Sequence, residues 1–174
     1  AVGTAVLLLP LAIVVGRVLA WRRFAGKPAV EALLALPLVL PPTVLGFYLL
    51  VTFAPTSTFG ALYQKLFGTT LAFSFEGLLV ASVIANIPFA VQPMQRAFEA
   101  IPQEIHEAAR CCGLDFRQAL WRIELPLAWP GILTAMILTF AHTLGEFGVV
   151  LMVGGNLPGE TRTLSVAIYD RMQA

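Results

Sequence analysis

Long apolar runs separated by short polar connections set the pattern of this chain. Four runs are long enough, or nearly so, to cross a bilayer: Ala1 to Trp21, broken only by Arg17; Ala32 to Pro55, uncharged; Gly77 to Gln95, uncharged; and Leu125 to Gly145, where His142 is the only titratable group. A helix needs about 20 apolar residues to span the hydrocarbon core. A low-charge tail, Phe147 to Pro158, continues the fourth run beyond Glu146. The pattern predicts an all-α fold, a polytopic transmembrane helical bundle in one domain over residues 1–174. Ala1 opens inside an apolar run without a charged leader, and Ala174 follows no recognisable stop, so the chain is expected to be an internal stretch of a longer protein, truncated at both ends.

Basic residues orient the spans. Arg17, Arg22, Arg23 and Lys27 follow the first run, and Arg96, Arg110, Arg117 and Arg122 follow the third; only Lys65 lies between the second and third. Lys and Arg concentrate in cytoplasmic loops. Residues 17–31 and 96–124 are therefore expected in the cytoplasm, and 56–76 and 154–174 outside. Prolines stand in or beside the runs at 10, 37, 41, 42, 88, 126 and 130. Each removes a backbone donor and bends its helix, which a membrane tolerates where neighbours or water satisfy the freed carbonyls. Bent, packed helices around a pathway are thus favoured over a simple anchor. Leu36-Pro37-Leu38-Val39-Leu40-Pro41 echoes Leu125-Pro126-Leu127-Ala128-Trp129-Pro130, which shared helix-start chemistry explains.

Composition agrees with lipid as the solvent: 58% of residues are hydrophobic and 12% charged, against about 25% charged in an ordinary soluble domain. A net charge of +1 without a dense basic cluster argues against nucleic acid as a partner. Cys111 and Cys112 are adjacent, close no useful loop, and read as small helix residues. The sequence contains no GxxxxGK[ST] phosphate loop, no metal-ligand cluster and no nucleophile–base constellation. ATP energy, if used, must come from a partner.

The connection at 96–124 is the most informative stretch. Ile101-Pro102-Gln103-Glu104 starts a helix, Gly113 stops it, and Asp115 with Gln118 forms a capping box for a second short helix running toward Ile123. Leu114, Phe116, Leu120 and Trp121 then need a surface to cover them, either the bilayer or a groove in a partner. Glu107-Ala108-Ala109, three residues, Gly113, nine residues, Ile123, one residue, then Leu125-Pro126 matches the EAA loop of ABC importer permeases at each defining position. By that motif the chain resembles the permease family. Leu36 to Pro42, Gly145-Glu146-Phe147-Gly148 and Asn156 to Thr163 are most similar to its molybdate branch, and sulfate permeases share much of the pattern.

The resemblance implies a multi-pass protein of the bacterial inner membrane, importing an oxyanion (molybdate first, sulfate or tungstate as alternatives) by alternating access. Its implied partners are a second permease copy, two ATP-binding cassette subunits and a periplasmic substrate-binding protein. ATP and magnesium would sit on the cassette subunits, with no cofactor on this chain. Carried over by residue, Glu107, Ala108, Ala109, Gly113, Ile123, Leu125 and Pro126 would couple to the ATPase. An integral membrane enzyme or an ion-driven secondary transporter is the alternative from another class; the latter is expected to carry buried acids in several spans.

Within the membrane, Glu146 is either a structural acid at the break between Gly145 and Gly148 or part of an outer gate. An acid at the bilayer centre costs roughly 2.5–3.5 kcal/mol on insertion scales, which favours a position near the interface. His142 lies one turn earlier on the same face. Asn86 is expected to satisfy a carbonyl freed by Pro88, and Ser82, Thr134 and Thr139 either line a path or bond back to their own helices. Arg162 is either a docking or anion-attracting charge on the outer face or a solvated turn charge.

Overall fold

In a computed structural model, which describes residues 1–173, the chain is a helical bundle. The elements in order are α1 Val2–Trp21, α2 Lys27–Val39, α3 Pro42–Phe53, α4 Thr58–Phe67, α5 Phe75–Glu99, α6 Gln103–Cys111, α7 Phe116–Ala119, a π-helical turn Leu120–Glu124, α8 Leu125–Leu127, α9 Trp129–Gly145, α10 Gly148–Gly154 and α11 Leu164–Gln173. At 20 and 25 residues, α1 and α5 are about 30 and 37 Å long, enough to cross the hydrocarbon core.

Two of the four expected spans are broken. The run 32–55 forms α2 and α3, which meet at 107°. Leu40 and Pro41 each precede a proline, and both are extended, with ψ of 135°. A residue before proline is pushed out of the helical region, so two consecutive prolines end α2 and start α3 afresh. Pro37, by contrast, is accommodated inside α2. The fourth run does not begin its span at Leu125. Leu125–Leu127 belongs to the preceding loop helix, a 72° bend follows, and α9 starts at Trp129. Beyond Glu146 the low-charge tail is a separate short helix, α10, rather than a continuation of α9.

α5 organises the rest. α1 runs parallel to it: Thr4 meets Ser82 at one end, and Gly16 lies against Met94 and Gln95 at the other. α9 runs antiparallel on another side, with Gly131 against Ala97 and His142 beside Asn86. The broken pair supplies the return path, α2 reaching Gln95 through Glu31 and α3 packing on α10 and α5. The segments expected in the cytoplasm meet at one end of the bundle, where Arg17 contacts Glu124. The segments expected outside meet at the other, where the Phe73 amide donates to the Val153 carbonyl. Four alternating crossings therefore fit the structure, two of them bent.

Small residues make these approaches possible. Ala12, Ala81, Ala85, Ala90 and Ala135 are buried. A β-carbon on Gly16 would stand 3.0 Å from the Gln95 amide, on Gly46 2.9 Å from the Val149 α-carbon, and on Gly131 2.1 Å from the Ala97 β-carbon. Lipid gives apolar helices no hydrophobic reason to associate, so contact of small-residue faces takes that role. Large apolar side chains such as Val6, Leu33 and Ile137 point outward.

Thr4 and Ser82 turn inward and bond to each other at 3.1 Å, whereas exposed Thr134 donates back along its own helix to the Pro130 carbonyl at 2.8 Å. Thr139 is buried and its hydroxyl finds no partner among the described residues. Asn86 does not serve the carbonyl that Pro88 frees, which is that of Ile84; its amide donates to the Ser82 carbonyl at 2.8 Å. Its oxygen instead faces a helix across the bundle, as described below. Cys111 and Cys112 are exposed at the end of α6, so burial does not account for them.

The α5–α9 approach yields a direct test. Gly131→Val forces a side chain into the space held by Ala97 and is expected to cost about 1–3 kcal/mol by overpacking. The drop should appear as a lower unfolding temperature in detergent. Gly145→Ala, where a β-carbon meets nothing within 4 Å, should leave that temperature unchanged.

Candidate functional site

The loop after α5 folds as its capping residues dictate. Pro102 is extended and opens α6. Gly113 ends it with φ of +75°, a backbone shape that suits glycine. Asp115 then accepts from the Gln118 amide at 2.7 Å while the Gln118 side chain accepts from the Asp115 amide at 3.2 Å, the reciprocal box read from the sequence. The second helix runs through Ile123 as expected and on to Leu127, but not as a regular α-helix. After Ala119 the chain widens into a π turn in which the Leu125 amide bonds to the Leu120 carbonyl, and Pro126 immediately after offers no amide at all.

Of the motif residues, Glu107, Ala108 and Gly113 are exposed, Ala109 is buried, Ile123 and Leu125 are half-buried, and Pro126 is exposed. Glu107 and Ala108 thus form an open face, with Ala109 beneath it. Phe116 and Trp121 remain 66% and 70% exposed. Apart from Arg17 over one face of Phe116, they lie open among the described residues, which leaves a pair of aromatics beside the motif available to another surface.

The inner side of the loop carries a group that the sequence reading did not single out. Glu124, 1% exposed, accepts from Arg17 Nη2 at 2.7 Å and also from Arg17 Nε. His106 Nδ1 lies 3.4 Å from Oε1, the oxygen that Arg17 Nη2 also reaches. The Arg17 guanidinium sits 3.5 Å above the Phe116 ring, and Trp21 packs edge-on against His106 at 4.0 Å. The last turn of α1 is therefore joined to α6, α7 and the π turn at one point. Around it opens a cleft of ≈ 600 Å³, lined in part by Arg22, Arg23, Glu107 and Arg110. The sequence signal was present: Arg17 is the lone charge of the first apolar run, and Glu124 is an acid immediately before Leu125-Pro126. Nothing in their spacing says that they meet.

A second polar cluster lies between α5 and α9. Glu146, in the break between α9 and α10, is buried. Its carboxylate is 4.0 Å from His142 Nδ1, and the Asn86 amide donates to it at 3.5 Å. Asn86, fully buried, also bonds to His142 at 3.0 Å through its oxygen, and Phe89 stacks on the imidazole at 3.9 Å. The structure thus brings His142 and Glu146 together as their spacing predicts, and adds Asn86 from α5 between them. Ser165 of α11 donates to the Glu146 carbonyl at 2.6 Å, tying the break to the last helix.

Arg162 has partners of its own. It donates to Asn156 at 2.9 Å and stands 3.5 Å from Asp170, which accepts in turn from Asn156 at 3.0 Å. Among the described residues no group of three His, Cys, Asp or Glu side chains is placed to hold a metal ion.

Comparison with known proteins places this geometry. Residues 9–173 match the family described as binding-protein-dependent transport system inner membrane component. The chain is 52% identical over 168 residues to the molybdenum transport system permease protein ModB of Azotobacter vinelandii, covering 94% of this chain and 74% of that protein. It is 36% identical over 165 residues to the protein of the same description from Haemophilus influenzae, covering 95% and 72%. A probable sulfate transport system permease protein, cysT of Chlorokybus atmophyticus, is 32% identical over 162 residues, covering 91% and 56%. With a bundle of membrane-crossing helices and a family match over nearly its whole length, the chain belongs to the binding-protein-dependent transport system inner membrane components: it is a transport permease subunit of the inner membrane and not an enzyme.

Proposed function

We propose that this chain forms the translocation path of an ATP-driven importer whose cargo is molybdate. The observation that carries the cargo is the 52% identity to a molybdenum transport permease, against 32% to a sulfate permease over a similar stretch. In this reading two copies of the permease pair around a central path, and two ATP-binding subunits, holding ATP and magnesium, dock on the cytoplasmic side. A substrate-binding protein delivers the oxyanion to the outer face, where Arg162 is a candidate contact. This chain supplies no cofactor.

The docking surface is assigned to the exposed edge of α6, with Glu107 and Ala108 outermost and Ala109 packed beneath. Gly113 makes the reversal that presents α6 and α7 together; Ile123, Leu125 and Pro126 carry the loop back to α9. Exposed Phe116 and Trp121 beside this edge support the assignment, because large aromatics at the centre of a partner contact are where binding energy concentrates. Glu146 and His142 are assigned to the outer gate. Their support is positional: Glu146 occupies the joint between α9 and α10 and His142 lies in the last turn of α9, where a small rotation changes the path without breaking a helix.

Three measurements test the reading. Full-length permease with its partners should take up labelled molybdate in an ATP-dependent manner that excess sulfate leaves intact; uptake abolished by sulfate would move the cargo to that anion. Gly113→Trp places a side chain on a left-handed backbone, at a cost of roughly 1–2 kcal/mol, and a bulky ring in the docking edge. It should lose the ATPase in co-purification, and full retention with normal transport would refute the docking assignment. Glu146→Gln, which can still bond to Asn86, should slow uptake several-fold without changing thermal stability; unchanged uptake removes Glu146 from the gate.

A further inference from the structure

The docking element has two covalent exits, and both are jointed. Toward α5 the chain passes Ala100, Ile101 and the extended Pro102. Toward α9 it passes Pro126 and the 72° bend at Ala128. Proline supplies no amide, so neither exit has a continuous hydrogen-bond ladder. A push on α6 and α7 delivered through these joints is dissipated as local bending.

The contact with α1 bypasses both. Arg17 is held on one side by the Glu124 carboxylate through two N–H groups and on the other by the Phe116 ring. A two-point guanidinium–carboxylate bond fixes direction as well as distance. Glu124 precedes the Ala128 bend, so it moves with the loop and not with α9. His106, on α6 itself, closes the group by facing the same carboxylate and packing on Trp21. Every element of the loop that would contact the ATPase is thus tied to the last turn of α1 at one buried point.

We propose that Glu124 and Arg17 form the pin that transmits movement of the docking helices to α1, making them positioning residues for the power stroke; this rests on the importer reading above. The nature of the contact argues for such a role. A buried ion pair adds little net stability over apolar residues of similar volume, whereas removing one partner leaves an uncompensated buried charge. An element needed only for packing is served as well by apolar side chains, of which the surrounding core has many: Leu19, Phe98, Ile101 and Ala128 are all buried.

The experiment separates transmission from packing. In the full complex with its ATPase and binding protein, Glu124→Leu is expected to keep the ATPase bound but to lose about tenfold in ATP-dependent uptake, in the range seen for residues that carry coupling without touching ligand. ATP hydrolysis should no longer rise when loaded binding protein is added. The double variant Arg17→Met with Glu124→Leu removes both charges; its unfolding temperature should return to the wild-type value while stimulation and uptake stay low. Arg17→Lys, which keeps the charge but not the two-point geometry, should fall between the wild type and Glu124→Leu in stimulation. Wild-type uptake by the double variant would overturn the proposal and reduce the pair to a structural contact. Loss of the bound ATPase in Glu124→Leu would also overturn it, by showing that Glu124 shapes the docking surface. Absence of ATP-dependent uptake in the wild-type complex would instead overturn the importer reading itself.

Discussion

Where α1 and α9 lie against α5, there is no room for side chains at the points of contact. Gly16 and Gly131 bring the backbones so close that an added β-carbon would meet an amide at 3.0 Å or another β-carbon at 2.1 Å. In water such helices would associate by burying apolar surface, but in lipid that gain vanishes and close packing replaces it. The remaining architecture depends on this approach. Thr4 reaches Ser82, and Asn86 reaches His142, because the helices carrying them are already close. The Arg17–Glu124 contact likewise exists because α1 runs parallel to α5 and ends beside the loop that α5 enters.

Proline distributes stiffness along this frame. Pro88 and Pro93 lie inside α5 and Pro10 inside α1 without breaking either helix. Pro41 with Pro42, and Pro126 with Pro130, stand where the chain bends by 107° and 72°. The difference lies in spacing. A single proline within a long helix loses one hydrogen bond, whereas Pro41-Pro42 places two successive residues before a proline and expels both from the helical region. The bundle therefore consists of two rigid rods, α1 and α5, with jointed segments around them.

Fold class, the alternating directions of α1, α5 and α9 and both helices of the 96–124 loop were legible because they rest on local signals: apolar run length and caps at Gly113 and Asp115. Breaks were less legible. The run 32–55 is uncharged and of spanning length, so hydropathy reads it as one helix, and only the Pro41-Pro42 pair hints otherwise. The motif residues of the loop were picked out by spacing, whereas Glu124 and Arg17, 107 positions apart, were not. Their meeting depends on the α1–α5 packing, which no local pattern encodes. Asn86 shows the same limit: its neighbour Pro88 suggested a local bond, and the structure gives its oxygen to a partner on α9 instead.

The two buried acids then acquire different meanings from their surroundings. Glu146 sits at a break, facing His142 one turn earlier on α9 and the Asn86 amide of α5, and neither neighbour is a guanidinium or an ammonium group. Glu124 is matched by the Arg17 guanidinium, which holds it through two N–H groups. A two-point ion pair resists being pulled apart, because separation strands two charges in a poor solvent; a contact built on hydrogen bonds alone yields more easily. The firm contact lies where the loop must grip a rigid rod, and the softer one lies at the joint between α9 and α10. In the proposed reading, with the loop as input and Glu146 at the gate, that order gives a rigid connection at the input and compliance at the gate.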